Sequence, residues 1–221
     1  MNKKKIVCII SGGMDSVTLL YKAIKEHNVA SALSYNYGQR HSRELEFAKE
    51  NCYKLGVEHK IIDLTSVQQC MRGSALTDTD NVDVPKGHYA DETMKMTVVP
   101  NRNMIMISIA VAEAVSKSAD TVWYGAHSGD HAIYPDCRKE FIEKLSEVTK
   151  IANYQSVTVE APFIDIDKGD IAIIGKELKV DYKMTHTCYE GHADPCGKCG
   201  ACVERAEAMK KAGITDPLVN A

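Results

Sequence analysis

A glycine-rich turn near the start of the chain, Ser11-Gly12-Gly13-Met14-Asp15-Ser16, constrains the fold more than any other feature. It follows the apolar run of residues 5–10 and opens a segment of helical periodicity at residues 15–26. A strand, a glycine turn and a helix in this order begin a βαβ unit, in which backbone N–H groups and the positive end of the helix dipole meet at one point. The turn therefore predicts an anion-binding site at the carboxyl end of the first strand.

Apolar runs alternate with helical periodicity along most of the chain, which is typical of a parallel sheet with crossover helices. The sequence predicts strands at residues 5–10, 30–35, 59–64, 121–124 and 156–161, and helices at 15–26, 42–55, 104–116, 138–152, 168–178 and 201–212. We expect an α/β fold, Rossmann-like, with helices on both faces of the sheet. Residues 65–97 are polar and contain Gly73, Pro85 and Gly87, which predicts a long surface or lid loop.

Composition limits the classes of partner. The 221 residues, 44% hydrophobic and 26% charged, suit one α/β domain at residues 1–184 with a small C-terminal appendage at 185–221. The net charge of −3 and the lack of a long basic block argue against nucleic acid and favour small polar substrates. Neither a signal-peptide core nor a stretch of roughly 18 apolar residues is present. We expect a cytoplasmic protein that does not engage a membrane, and the sequence leaves a homodimer open.

Four of the eight cysteines crowd into one short stretch near the C-terminus. Cys188, Cys196, Cys199 and Cys202 are separated by seven, two and two residues, with glycines between them. Such spacing predicts a tetrahedral Zn²⁺ knuckle closed by the last helix. An iron–sulfur cluster also accepts four cysteines, but the ferredoxin run ending in Cys-Pro is absent. Four thiolates fill a tetrahedral ion, so we expect the metal to fold the tail rather than to catalyse.

The glycine turn matches neither of two common nucleotide motifs. The Walker pattern with its lysine and the Rossmann GxGxxG are both absent. The string SGGMDS instead resembles the pyrophosphate loop of the PP-loop ATP pyrophosphatase superfamily, whose fold is adenine nucleotide alpha hydrolase-like. The resemblance implies ATP binding by Ile10, Ser11, Gly12, Gly13, Met14, Asp15, Ser16 and Val17. It also implies that Asp15 organises a Mg²⁺ ion and that Asp15 and Ser16 take part in catalysis.

Further polar residues follow the carboxyl ends of predicted strands, where open α/β sheets place ligands. Arg102 lies at the start of the buried helix predicted at 104–116, where an anionic partner is favoured. The stretch YNYGQRHS offers Arg40 or His41 to phosphate. The loop YGAHSGDHAIYPDCR offers His127, Asp130, His131, Asp136 and Arg138. The two histidines lack a third spaced metal ligand, so hydrogen bonding to ligand or backbone is the favoured interpretation.

Taken in order, the motifs SGGMDS, YGQRHS, VPNRN, YPDCR, THTCYEG and CGKCGAC resemble the 7-cyano-7-deazaguanine (preQ0) synthases, the QueC family, over residues 5–205. The resemblance implies an ATP-dependent ligase that converts 7-carboxy-7-deazaguanine and ammonia to the nitrile through adenylated acid and amide intermediates. The stretch of residues 126–133 departs from the Cys-Glu-Thr-Asp-Phe-Ser-Gly that is usual in that family.

This resemblance implies roles for the loop residues. Arg40, Arg102 and Arg138 become candidates for the substrate carboxylate and the phosphates, with Arg102 also catalytic. Asp130 or Asp136 is the candidate for the guanine-like edge, and His131 lies in the same substrate loop.

Two other functions are compatible with parts of the sequence. A related PP-loop enzyme would use ATP with a different acceptor, in tRNA thiolation or in conjugation of a deazaguanine to a macromolecule. Thiolation requires a cysteine outside the knuckle, for which Cys137 is the candidate. A non-catalytic zinc-knuckle binding module would leave SGGMDS without a use.

Overall fold

The computed structural model describes residues 3–78, 81–87 and 92–219. Five strands are formed: β1 (Lys5–Ile9), β2 (Asn28–Asn36), β3 (His59–Asp63), β4 (Thr121–Trp123) and β5 (Thr158–Glu160). Six α-helices accompany them: α1 (Met14–Glu26), α2 (Glu44–Lys54), α3 (Arg102–Ser116), α4 (Lys139–Ile151), α5 (Lys168–Glu177) and α6 (Gly200–Lys211). Each element predicted from the sequence is present, and its ends move by two residues at most.

The strands form one parallel sheet in the order β3-β2-β1-β4-β5. After β3 the chain crosses to the other side of β1, so β1 and β4 are neighbours at the point where the strand order reverses. Ligands of open α/β sheets bind in the crevice outside the carboxyl ends of the strands at such a point. The glycine turn leaves β1 at this edge, and the Tyr124-Gly125-Ala126 segment leaves β4 beside it.

Helices cover both faces of the sheet, as predicted. Val7 and Val122 point to the face that packs against α3 and α4, whereas Cys8 and Trp123 point to the face that packs against α1, α2 and α5. Alternate residues of each strand are therefore buried on opposite sides, which is why the strands are continuous apolar runs in the sequence.

The last helix packs against α5 rather than against the sheet. It ends before Gly213, whose φ of +61° lets the Ile214 N–H return to the carbonyl of Met209 at 2.9 Å. Within α6, the buried Arg205 guanidinium forms two hydrogen bonds, at 2.7 and 3.0 Å, with the carboxylate of Asp216, which follows the helix. This ion pair fastens the end of the described chain to the knuckle. Residues 220 and 221 of the predicted appendage lie outside the described residues.

The prediction of a surface or lid loop at residues 65–97 is wrong for the described part of this segment. It contains two 3-10 helices, Thr65–Met71 and Glu92–Thr97. Met71, Leu76 and Met94 are buried in the same core as Tyr35. Isolated apolar residues in polar surroundings form no periodic pattern, so this packing could not be predicted from the sequence. Residues 79, 80 and 88–91 of the predicted loop lie outside the described residues.

Among the residues that the structure describes, no helix has the length and apolar character needed to cross a bilayer.

Candidate active site

The glycine turn gathers donors at the start of α1. Gly12 has a φ of +97°, and a side chain there would collide with the carbonyl oxygen of Glu44. The N–H groups of Ser11 and Gly12 donate to the Ser16 hydroxyl at 3.1 and 3.2 Å, and the Gly13 N–H donates to the Ser11 hydroxyl at 3.2 Å. Converging N–H groups at a helix N-terminus form an anion cradle. The two hydroxyls mark the place where phosphate oxygens would accept the same hydrogen bonds.

A cavity opens at this edge of the sheet and brings together part of the predicted site. The predicted residues that line it are Ile10, Ser11, Gly13, Asp15, Ser16, His41, Arg102, Asp130 and Cys137. Met14 and Val17 are fully buried below the turn, where they pack against α5 and α6. They therefore support the backbone of the turn from beneath and offer no side chain to the cavity.

Outside the glycine turn, the predicted residues that do not line the cavity are Arg40, His127, His131, Asp136 and Arg138. Arg138 is exposed and its Nε donates to the carbonyl of His131 at 2.9 Å. Asp136 accepts the N–H of Asn103 at 3.2 Å, at the start of α3. Arg40 lies 3.5 Å from Glu190 and donates to the carbonyl of Val82 at 3.1 Å. It therefore connects the knuckle to the long segment of residues 65–97.

Lys168 is a site residue that the sequence did not indicate. It is the first residue of α5, only 6% exposed, and its ammonium lies 3.1 Å from Asp15 Oδ2 and 2.7 Å from Glu204 Oε2. Although burial alone would lower the pKa of Lys168, the carboxylates of Asp15 and Glu204 raise it above its usual value. The cavity therefore contains a fixed cation beside the glycine turn.

Only one of the two carboxylate oxygens of Asp15 has a partner among the described residues. Its Oδ2 faces Lys168, whereas its Oδ1 is buried and has no hydrogen-bond partner among the described residues. A buried carboxylate oxygen without a donor is costly unless a cation or a ligand completes it. Asp15 thus fits the role of a Mg²⁺ ligand, since Mg²⁺ prefers carboxylate and phosphate oxygens.

His127 takes part in hydrogen bonds at this site. The ring is 1% exposed, and its Nδ1 accepts the Gly129 N–H at 3.1 Å, which assigns the proton to Nε2. Nε2 lies 3.9 Å from Asp15 Oδ2 and 3.7 Å from Asp130 Oδ2. This arrangement agrees with the hydrogen-bonding interpretation of the loop histidines. Of the described residues, only the knuckle cysteines form a group of metal-ligating side chains.

Arg102 and Cys137 also line the cavity. The Arg102 guanidinium carbon lies 5.9 Å from the centre of the Tyr37 ring, and its Nη1 donates to the Tyr37 hydroxyl at 3.4 Å. The Cys137 thiol accepts a hydrogen bond from Asn103 Nδ2 at 3.3 Å. Burial raises the pKa of the Cys137 thiol well above its usual value. Cys137 is therefore a neutral thiol in this site, which does not suit a nucleophile.

The knuckle cysteines form a site that fits zinc. Their sulfur atoms lie within 4.8 Å of one another, and Cys196 Sγ is 3.9 Å from Cys202 Sγ. Tetrahedral zinc with Zn–S bonds of about 2.3 Å places its sulfurs about 3.8 Å apart. The N–H groups of Lys198 and Cys199 point at Cys196 Sγ at 3.4 and 3.3 Å, as expected for a thiolate acceptor. The cluster has four sulfur ligands, so a bound zinc ion would have a filled coordination shell.

Comparison with known proteins decides the family. The model of the family described as "Queuosine biosynthesis protein QueC" matches residues 5–213. The chain belongs to the QueC family. A relative from Pseudoalteromonas atlantica named "7-cyano-7-deazaguanine synthase" is 55% identical over 215 residues, covering 97% of this chain and 98% of the relative. One from Colwellia psychrerythraea named "7-cyano-7-deazaguanine synthase 1" is 54% identical, with the same coverage.

Solved structures support the fold assignment of this QueC-family chain. A 4-thiouridine synthetase, solved with RNA and ATP, is 17% identical with a TM-score of 0.55, covering 95% of this chain and 50% of that one. The NMN synthetase from Francisella tularensis is 15% identical with a TM-score of 0.53, covering 96% and 74%. At these identities the likeness concerns the fold alone, and it agrees with the predicted PP-loop architecture.

The cavity of this QueC-family chain is also lined by residues that the sequence did not indicate. They are Tyr35, Tyr37, Glu44, Tyr124, Tyr134, Lys168 and Tyr189. Tyr35 and Tyr124 lie at strand ends, and Tyr37 and Glu44 flank the QRH triplet. The polar residues next to them were predicted because they follow the carboxyl ends of strands. The same position could have indicated Tyr35 and Tyr124. Aromatic walls suit a flat heterocycle.

Proposed function

We propose that this chain is an ATP-dependent 7-cyano-7-deazaguanine synthase, a carbon–nitrogen ligase acting on 7-carboxy-7-deazaguanine and ammonia. The observation that carries the proposal is the meeting, in one cavity, of the glycine-turn cradle, the Asp15–Lys168 pair and Arg102. The names of the relatives, at more than half identity over nearly the whole chain, support the same substrate.

The reaction explains why the site needs a phosphate cradle. A carboxylate becomes a nitrile by losing two oxygens, neither of which leaves as such at neutral pH. Attack of a carboxylate oxygen on the α-phosphorus of ATP forms an acyl adenylate and releases pyrophosphate. Ammonia displaces AMP and gives the amide, and adenylation of the amide oxygen followed by loss of AMP and a proton gives the nitrile. Each round places one substrate oxygen on AMP.

The residues of the turn would hold the departing pyrophosphate. The N–H groups of Ser11, Gly12 and Gly13 supply fixed donors, and the Ser16 hydroxyl joins them. Lys168 supplies a fixed positive charge, which stabilises charge that develops on the phosphates more than a solvated lysine would. Asp15 Oδ1 would bind Mg²⁺, whose chemistry is to neutralise the triphosphate and orient it.

Arg102 would bind the carboxylate of the acid substrate. It lies in the cavity with the tyrosine ring of Tyr37 below it, which restrains its planar guanidinium. A guanidinium held in this way suits bidentate binding of a carboxylate. Arg40, His131, Asp136 and Arg138 lie outside the cavity lining, so we assign them to the support of surrounding loops.

The knuckle would hold Zn²⁺ and organise the floor of the site. The His186 N–H donates to the carbonyl of Gly12 at 3.0 Å, and α6 carries Glu204 to Lys168. A folded knuckle therefore positions both the turn and the cation. We treat residues 185–221 as a unit that serves the domain at 1–184. The cytoplasmic location and the homodimer stay predictions.

The thiolation alternative finds no support in the geometry, because its candidate sulfur, Cys137, is a buried neutral thiol. The test of the proposal is incubation of the purified chain with MgATP, an ammonium salt and 7-carboxy-7-deazaguanine, read by mass spectrometry. The proposal expects the nitrile together with AMP and pyrophosphate. Formation of ADP and phosphate, or of no deazaguanine product, would contradict it.

A further inference from the structure

A buried carboxylate faces the cavity that neither the family motifs nor the steps above use. Glu44 is the first residue of α2 and is only 8% exposed. Its helix begins against the glycine turn, since a side chain on Gly12 would strike the Glu44 carbonyl oxygen. The Glu44 side chain lines the same cavity as Arg102 and the tyrosines.

The hydrogen bonds of this carboxylate are weak and one-sided. Gln39 Nε2 lies 3.5 Å and His41 Nε2 lies 3.4 Å from the same oxygen, Oε1. Neither is at the distance of a good charge-assisted hydrogen bond, which is about 2.7–2.9 Å. Gln39 is itself fixed, because it donates to the Tyr35 carbonyl and accepts the Tyr37 N–H, both at 2.9 Å. It therefore cannot swing to satisfy Glu44 without breaking both.

Burial of the ionised Glu44 carboxylate costs free energy, and hydrogen bonds from a ligand could offset that cost. Burial raises the pKa of Glu44 to about 8, so the ionised form is disfavoured by its surroundings, although Gln39 and Arg102 oppose the shift. Two donors on one ligand would satisfy both carboxylate oxygens at once.

We propose that Glu44 reads the guanine-like edge of the acid substrate by accepting hydrogen bonds from its ring N–H and its exocyclic amine. This inference rests on the proposed function and adds to it the residue that sets base specificity. The same edge on guanine carries these two adjacent donors, and a carboxylate is their natural acceptor. Arg102, the residue proposed above for the carboxylate, lines the same cavity, so Glu44 and Arg102 would bind the two ends of one flat molecule.

The two aspartates first considered for this edge have other partners. Asp136 accepts the N–H of Asn103, and Asp130 accepts the N–H of His127 at 3.2 Å. Adenine is the other base in the reaction, but its edge pairs one donor with one acceptor, so it would leave one carboxylate oxygen of Glu44 without a donor. Glu44 therefore fits the acid substrate better than it fits ATP.

The test compares Glu44→Gln with Glu46→Gln, an exposed glutamate on the same helix. Binding of 7-carboxy-7-deazaguanine and of its analogue without the exocyclic amine is measured by calorimetry without ATP. Wild type and E46Q should prefer the parent acid by about 10- to 100-fold, the range expected for hydrogen bonds to a charged group. E44Q should bind the two alike, with its KM for ATP unchanged. Glu44→Asp, which keeps a carboxylate, should retain a preference.

Two results would overturn the inference: E44Q that still prefers the parent acid, or E44Q whose KM for ATP rises while acid binding is unchanged, which would assign Glu44 to adenine. Formation of nitrile by the wild type in parallel separates the two proposals. If the wild type forms the nitrile and E44Q still prefers the parent acid over the analogue, only the role of Glu44 is overturned. No nitrile from the wild type overturns the proposed function, and this inference with it.

Discussion

Lys168 Nζ lies 3.1 Å from Asp15 Oδ2, so the first residue of α5 meets the first turn of α1. The two residues are 153 positions apart in the chain. The parallel sheet brings them together because the loops after β1 and β5 both open at its carboxyl edge. This contact places a lysine beside the glycine turn, although no lysine follows the glycines in the sequence.

Replacement of Lys168 by methionine should abolish most of the adenylation activity. The change removes the fixed cation, and donors that stabilise developing charge contribute about 10²–10³-fold to kcat. ATP–pyrophosphate exchange measures the effect. Lys139→Met is the matched control, because Lys139 is exposed and pairs with Asp165 at the surface at 3.0 Å. Exchange that persists at the wild-type rate in K168M would remove Lys168 from the mechanism.

Removal of zinc should unfold the knuckle and weaken ATP binding together. Cys199 is 1% exposed, and a serine there replaces a ligand that the ion requires. We expect Cys199→Ser to lose its metal and more than about 4 kcal/mol of unfolding free energy. Metal analysis and denaturant melts measure both quantities, with the exposed Cys70→Ser as control. A C199S protein that lacks zinc yet keeps its stability and its KM for ATP would argue against this coupling.

The ion pair of Arg205 and Asp216 should be needed for the stability of the C-terminal region. Both side chains are buried, and Asp216→Ala leaves the guanidinium without its carboxylate. A buried charge that loses its partner costs about 3–5 kcal/mol. Glu140→Ala breaks an exposed pair with Lys144 and should cost much less stability, because solvent screens such pairs. Equal losses in the two variants, measured by urea unfolding, would refute the distinction.

Glu44 should give the unfolding free energy a characteristic pH dependence. Burial raises the pKa of Glu44 from its ordinary value of 4.5 to about 8, so the folded state favours the protonated form. The stabilisation is complete below pH 4.5 and is lost as the pH rises through 8. The difference between wild type and Glu44→Gln should therefore fall across this window, at no more than about 1.4 kcal/mol per pH unit. A difference that stays flat in urea melts from pH 4 to 9 would contradict the burial effect.

Local patterns predicted the fold and two parts of the site. The strand–glycine–helix order of SGGMDS and the cysteine spacing both encode geometry within a few residues, so they could be interpreted without the rest of the chain. Lys168 and Glu44 could not be found in this way. Each begins a helix of ordinary composition, and only the packing of α5 on α1 and of α2 on the glycine turn brings them to the cavity.

The choice of Arg40 and Arg138 rested largely on residue type, and both lie outside the cavity lining. Arg40 and Arg138 have the right charge for phosphate, but the direction of a side chain in an irregular loop depends on contacts that the sequence pattern does not contain. Arg40 bonds to Val82 of the long segment, and Arg138 bonds to its own loop at His131. Arg102, by contrast, begins a buried helix, and the fixed direction of that helix carries it into the cavity.

The path of the substrate oxygens tests the central claim most directly. We would supply 7-carboxy-7-deazaguanine labelled with ¹⁸O in both carboxylate positions, with MgATP and ammonia, and analyse the nucleotide products by mass spectrometry. Attack on the α-phosphorus in both rounds predicts two AMP molecules per nitrile, each with one ¹⁸O, and unlabelled pyrophosphate. Label in inorganic phosphate or water, or AMP without ¹⁸O, would contradict the account.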